Sequence, residues 1–188
     1  MSKIIFIFFL LSICSRVIFP QSRFNAGASF NIGIPTVSLS DLTKTGIGGS
    51  AIGEFAINEN ISTTLTASYH NFPGKSEGFA FQGNVFSFSV NAIPVMSGVR
   101  YYFSPELFGT VETGVHFIRA IADIYDVYST EKVSTKYEAK FAGSLGAGYR
   151  YRLAEPSVFE ISGLYQLVKD DLNSFAIKIG IIILLDNI

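Results

Sequence analysis

The side chains that could do chemistry are few. The chain has two histidines, His70 and His116, and one cysteine, Cys14. A zinc site needs three or four ligands at suitable spacing, and neither histidine has such company. His70 lies near Ser68 and Ser76, the raw material of a nucleophile–base pair. Serine is common in this chain, however, and an ordinary histidine close to a loop is the simpler reading. Gly46-Ile47-Gly48-Gly49-Ser50 is glycine-rich, but no helix follows it, so a phosphate cradle is not expected. Asp123, Asp126 and the pair Asp170-Asp171 read as solvated loop charges rather than calcium ligands. What remains is a set of charges on alternating positions: Glu54, Glu112, His116, Lys136, Glu138, Lys140, Arg150, Arg152, Glu160 and Lys178. Four glutamates face five lysines and arginines. Buried charges must be paired, so this near-balance predicts an ion-pair network filling an interior. A hydrated path lined by the same residues is the alternative. No catalytic residue, cofactor or metal is expected.

These residues sit in segments with a period of two. In 24–34, Phe24, Ala26, Ala28, Phe30, Ile32 and Ile34 alternate with Asn25, Gly27, Ser29, Asn31 and Gly33. Strict alternation marks a strand with one apolar and one polar face. The pattern returns in 46–57, 61–70, 135–153, 157–168 and 174–184. It is less regular in 85–103 and 107–127. In 85–103 the apolar set is Phe86, Phe88 and Val90 before Pro94, then Val95, Val99, Tyr101 and Phe103 after it. That change of parity predicts a bulge near Asn91–Pro94, where a proline is tolerated in a sheet. Eight strands result, with tight turns at 58–60, 104–106 and 154–156. The other connections, 35–45, 71–84, 128–134 and 169–173, are mostly longer.

Composition narrows the class. Of 188 residues, 48% are hydrophobic and 15% charged, and the formal charge is −1; an ordinary soluble domain has about 25% charged residues. The chain is too apolar for disorder and too weakly basic for nucleic-acid binding. One cysteine excludes a disulfide framework, and the length fits one domain. Met1–Lys3 followed by the apolar run Ile4–Ile13 has the form of a signal peptide and is too short for a membrane helix of about 20 residues. The expected organisation is a signal peptide over 1–21 and one barrel domain over 22–188, with a lipoprotein acylated at Cys14 as a second reading of that start.

The polar face decides between a soluble sandwich or lipocalin and a membrane barrel. A soluble protein would solvate that face with lysine, glutamate, threonine and glutamine. Here glycine, serine, alanine and asparagine dominate it, and small residues suit the inside of a narrow barrel. Aromatic residues gather near strand ends on the apolar face, among them Tyr69, Tyr101, Phe103, Tyr137, Tyr149 and Tyr151, as interfacial girdles do. A sheet in lipid must close, and eight strands close around an interior that side chains can fill.

With signal segment, FNAGASFNIGIP (24–35), SVNAIPVMSGVRYYF (89–103) and GSLGAGYRYRL (143–153) in view, the chain resembles the small outer-membrane β-barrel proteins of Gram-negative bacteria, of the OmpA/OmpX-like and PorT-like kind. The resemblance spans essentially all of 22–188. It implies an outer-membrane location and no particular activity. Such barrels often end in an aromatic residue read by the insertion machinery; this chain departs from that with Leu185-Asp186-Asn187-Ile188. The expectation is an all-β, eight-stranded, antiparallel, up-and-down transmembrane barrel with both termini periplasmic. It would be monomeric and non-enzymatic, a structural or surface-interaction protein acting through 35–45 and 71–84. Its partners would be outer-membrane lipid and surface or periplasmic proteins, with no nucleic acid. A narrow pore or secretion accessory is the alternative, and a soluble lipocalin-like binder the second.

Overall fold

A computed structural model describes residues 23–75, 85–125 and 130–185. The expected signal peptide, Cys14, Ser76, Asp126 and the tip of the 71–84 connection lie outside the described residues. The strands are β1 (Arg23–Pro35), β2 (Gly46–Ala56), β3 (Ile61–Pro73), β4 (Val85–Tyr102), β5 (Leu107–Tyr125), β6 (Thr130–Ser134), β7 (Glu138–Ala154), β8 (Ser157–Val168) and β9 (Ser174–Leu184). One short helix, α1 (Ser38–Leu42), lies between β1 and β2, and a single 3-10 turn spans Lys169–Asp171.

Successive strands pair antiparallel except β6 and β7, which both pair with β5, and β1 pairs with β9. The sheet is closed. β6 and β7 occupy one stave, since β5 pairs with β6 over Ile121–Tyr125 and with β7 over Leu107–Ile118. The barrel therefore has eight staves in up-and-down order. Its ends differ. At one rim the connections are tight and closed by local hydrogen bonds: Asn58 Oδ1 accepts from the Asn60 and Ile61 amides, and Ser104 Oγ from those of Glu106 and Leu107. Asparagine and serine are apt here because a short side chain can replace a backbone acceptor in a turn. The start of β1 and the end of β9 lie at this rim, where Asn25 faces Leu184. The opposite rim carries the longer connections, including α1.

The predicted bulge near Asn91–Pro94 is absent. β4 keeps one register with β5 from Val85↔Tyr125 to Tyr102↔Phe108, and the same register with β3 on both sides of Pro94. The parity change has another cause. Even-numbered positions of β4 point inward from Phe88 to Tyr102, so Val90, Ala92, Met96, Arg100 and Tyr102 are all buried while Val95, Val99 and Tyr101 are exposed. The interior is apolar toward the long-loop rim and polar below it. The register shift in the sheet lies instead at Arg152/Ala154, between β7 and β8.

The outer surface is apolar. Leu65, Phe141, Leu145 and Val111 are 62%, 67%, 66% and 60% exposed, whereas Glu54, inside, is 2% exposed. Small residues leave room for the few large ones within. At Gly148 a Cβ would fall 2.3 Å from Phe108 Cζ, so this glycine is required by a close approach and not by its backbone angles.

Candidate functional site

Inside the tight-turn end, four charges form one cluster. β2, β4, β7 and β8 each contribute one side chain, Glu54, Arg100, Arg150 and Glu160, from positions a few residues inside the rim. Arg100 Nη1 donates to Glu54 Oε2 at 3.0 Å and to Glu160 Oε2 at 2.8 Å, and its Nη2 donates to Glu160 Oε1 at 3.0 Å. Arg150 Nε donates to Glu160 Oε2 at 2.9 Å, and its Nη1 and Nη2 donate to Glu54. Tyr102 Oη donates to Glu54 Oε1 at 2.8 Å. Each carboxylate thus bridges both guanidiniums. Planar guanidinium forks match carboxylates in two directions at once, which a lysine ammonium would not. Phe108 floors the cluster, with the Arg100 guanidinium 4.4 Å from its ring centroid, and Arg150 stands 5.1 Å from that of Tyr102.

Above this layer the interior is hydroxyl-rich. Lys178 is buried and lines a cavity of about 10 Å³ with Ser29, Ser50, Thr66, Arg100 and Glu160. A cavity of that size is just large enough for one water. Glu112 accepts from Ser144 Oγ at 3.0 Å. Higher still are His70 and His116, both buried. Asn31 Oδ1 accepts from the Ser29 and Ser50 hydroxyls, which turns its Nδ2 toward His70 Nε2 at 3.3 Å.

The long-loop rim is closed by apolar side chains. Leu39 of α1 packs on Phe72, Val90 and Ala92, joined by Leu172 and Ile118. The α1 connection is pinned over the opening by backbone hydrogen bonds from Lys44 to Pro73, from Lys75 to Leu42 and from Thr36 to Asn173.

The ten charged or imidazole residues expected inside divide into two groups. Glu54, Glu112, His116, Arg150, Glu160 and Lys178 are buried in the interior. Lys136, Glu138, Lys140 and Arg152 are not, because the staves are longer than the filled part of the barrel. Lys136 falls in the break between β6 and β7 and is exposed. The side chains of Glu138 and Arg152 are 68% and 70% exposed at opposite rims. Lys140 reaches out to Glu138 and to Asp170, at 2.9 and 2.8 Å, and this contact holds the Asp170 carboxyl below the ordinary aspartate range. Three further interior residues, outside the ten expected, belong to the site. Arg100 and Tyr102 were signalled by the outward run Val99, Tyr101, Phe103, and His70 by the inward run Ser62, Thr64, Thr66, Ser68.

No family model and no curated protein matches the sequence. Solved structures do match in shape. The attachment invasion locus protein Ail of Yersinia pestis, solved with the heparin analogue sucrose octasulfate, shares 11% identity over 87% of this chain and 98% of that one, with a TM-score of 0.57. Neisserial surface protein A shares 12% over 85% and 96%, at 0.56. OprG of Pseudomonas aeruginosa shares 13% over 86% and 95%, at 0.52. The chain has the fold of the small outer-membrane β-barrels. At these identities the likeness is one of fold, and the small-barrel architecture accounts for the side-chain distribution already described: bulky apolar residues outside, small and polar ones within.

Proposed function

We propose that the protein is an integral outer-membrane barrel, exported with residues 1–21 removed, whose interior is a structural plug and whose role is non-enzymatic contact at the cell surface. One observation carries this reading: the polarity is inverted. A row of leucine, phenylalanine and valine side chains covers the outside, while two glutamates and two arginines are buried within. Water would not tolerate so continuous an apolar surface, and a lipocalin-like binder would turn its apolar face inward. A bilayer satisfies both faces, because a closed sheet pairs the backbone polar groups of its staves with one another. The tight-turn rim with both chain ends then faces the periplasm, and α1 and the other long connections face outward.

The plug is favoured over a pore by the way the interior is filled. The four-charge cluster and Phe108 cross the lumen at one end and the Leu39–Phe72 group closes the other, and the cavities of about 20 and about 10 Å³ between them are water-sized. The test is membrane fractionation with gel mobility compared before and after boiling. A band in the outer-membrane fraction that shifts on boiling is expected. A soluble, unshifted protein would overturn the proposal.

A further inference from the structure

Both histidines of the chain meet at one place. His70 on β3 and His116 on β5 are 1% and 3% exposed, and both line a cavity of about 20 Å³ directly beneath the cap residues Leu39 and Leu172. Most of the rest of its lining is apolar, with Gln166 and Ser174 on the polar side. The His70 ring stacks on Phe72 at 5.9 Å between centroids. His116 Nε2 is buried and meets no hydrogen-bond partner.

Charge around the pair is one-sided. From β9, Lys178 lies opposite Asn31, the residue that bonds to His70. From β5, Glu112 is two inward positions below His116, past Gly114, and is engaged by Ser144. From β7, Lys140 faces His116 across the ladder and is committed to Glu138 and Asp170. Arg100 and Glu160 lie deeper, bound to one another. The groups offered by β1, β4 and β8 are neutral: Asn31, Pro94 and Gln166. Among the described residues no carboxylate touches either imidazole.

Two consequences follow from protonation. First, Asn31 is held by Ser29 and Ser50 with its Nδ2–H toward His70 Nε2. A proton on Nε2 replaces acceptor by donor and sets two N–H groups head to head. Second, an imidazolium on either ring is a buried charge without a partner, near the Lys178 ammonium, and such a charge is costly until water reaches it. The cap residues Leu39 and Leu172 line the same cavity as both rings, so displacing them exposes the rings to water. The cap is also strained in its closed position, since Val37, just before α1, has φ 52° and ψ −136°, a conformation that β-branched residues rarely adopt.

We propose that His70 and His116 are an acid-operated latch: protonation of the pair lifts Leu39 and Leu172 from the lumen and opens the upper interior to water. The latch rests on the reading of the protein as a closed membrane barrel. The test uses the chain with Cys14→Ser and Ser38→Cys, a nitroxide on α1, folded in detergent micelles. Between pH 7 and about pH 3.5, well below the ordinary histidine value of about 6.5, the mobile fraction of the label should rise several-fold. Histidine ring NMR should show proton uptake over the same range. His70→Gln/His116→Gln should keep the label immobile, with His70→Phe/His116→Phe as a second, apolar pair should the first fail to fold. Rings that protonate while the label stays immobile would overturn the latch, as would equal mobilisation in a folded double variant. Gel mobility before and after boiling is read at each pH. If it never shifts, the closed-barrel reading itself fails; if it shifts while the label stays still, only the latch fails.

Discussion

Removing Arg100 is the sharpest perturbation of the buried cluster. Arg100→Met keeps the length and apolar stem of the side chain and deletes three charge-assisted hydrogen bonds, two to Glu160 and one to Glu54. Glu160 is then left with Arg150 Nε alone, and Glu54 with Arg150 and Tyr102. Hydrogen bonds to charged groups contribute about 1.5–3 kcal/mol each, but they do not add when they share partners. The better guide is the cost of breaking a buried pair by removing one member, about 3–5 kcal/mol, most of it from the carboxylate left behind. The rim pair Arg152–Glu155 supplies the control: at 3.8 Å and 70% exposure on both sides, Arg152→Met should change stability by less than about 1 kcal/mol. The assay is reversible urea unfolding in detergent followed by far-UV circular dichroism, because the chain has no tryptophan. Arg100→Met should cost less in a Glu160→Gln background, where the stranded charge is gone. If Arg100→Met costs under about 1 kcal/mol at unchanged m-value, or if the two substitutions add independently, the cluster does not hold the barrel together.

Other expectations follow from the same geometry. Leu145→Arg puts a cation on the outer face where Leu145 is 66% exposed; in a bilayer it should destabilise by about 2–4 kcal/mol if that position lies near the midplane, whereas a water-facing residue would show almost no change. Gly148→Val drives a side chain against Phe108 and should cost about 1–3 kcal/mol by overpacking, measured by the same unfolding assay. Asp170 is held by Lys140 at the rim, so its folded carboxyl titrates below its unfolded one. Its contribution is present above the unfolded value and is lost as pH falls through the folded one. Asp170→Asn should remove that acid-side slope, and salt should weaken it in the parent, since the pair is exposed; a slope indifferent to both would show that the contact carries nothing.

Much of the fold was legible because closure and alternation are the same fact seen twice. Segments such as 24–34 and 174–184 alternate for their whole length, and the observed strands Arg23–Pro35 and Ser174–Leu184 differ from them by a residue at most. The bulge expected in β4 comes from the assumption that apolar means outside. In β4 that assumption turned Phe88 and Val90 outward and required a bulge, when the true register is continuous and the interior itself becomes apolar near the long loops. The alternation itself gives Arg100 and His70 inward parity, Arg100 between Val99 and Tyr101 and His70 after Tyr69. Position along the stave was the other missing quantity. Glu138 and Arg152 have the right parity for the interior, but parity says only which way a side chain points. It does not say whether the barrel is still filled at that height.

The two ends of the interior solve different problems. At the tight-turn end, short connections cannot fold back over the opening, so the lumen must be closed from within by side chains long enough to cross it. Two arginines do this, and two glutamates make their burial tolerable. The resulting layer is fixed in direction, because each fork has one good orientation on its carboxylates. At the other end the connections are long enough to supply a cover, and Leu39 and Leu172 provide one that needs no charge. An apolar cover has no directional bonds to its floor and can leave without stranding a partner, whereas a member of the charge cluster cannot. Motion is therefore expected at the long-loop end and rigidity at the other. Native-state hydrogen exchange reads this directly: amides of α1 should exchange far faster than those flanking Glu54 and Arg150, and equal protection at both ends would contradict the division.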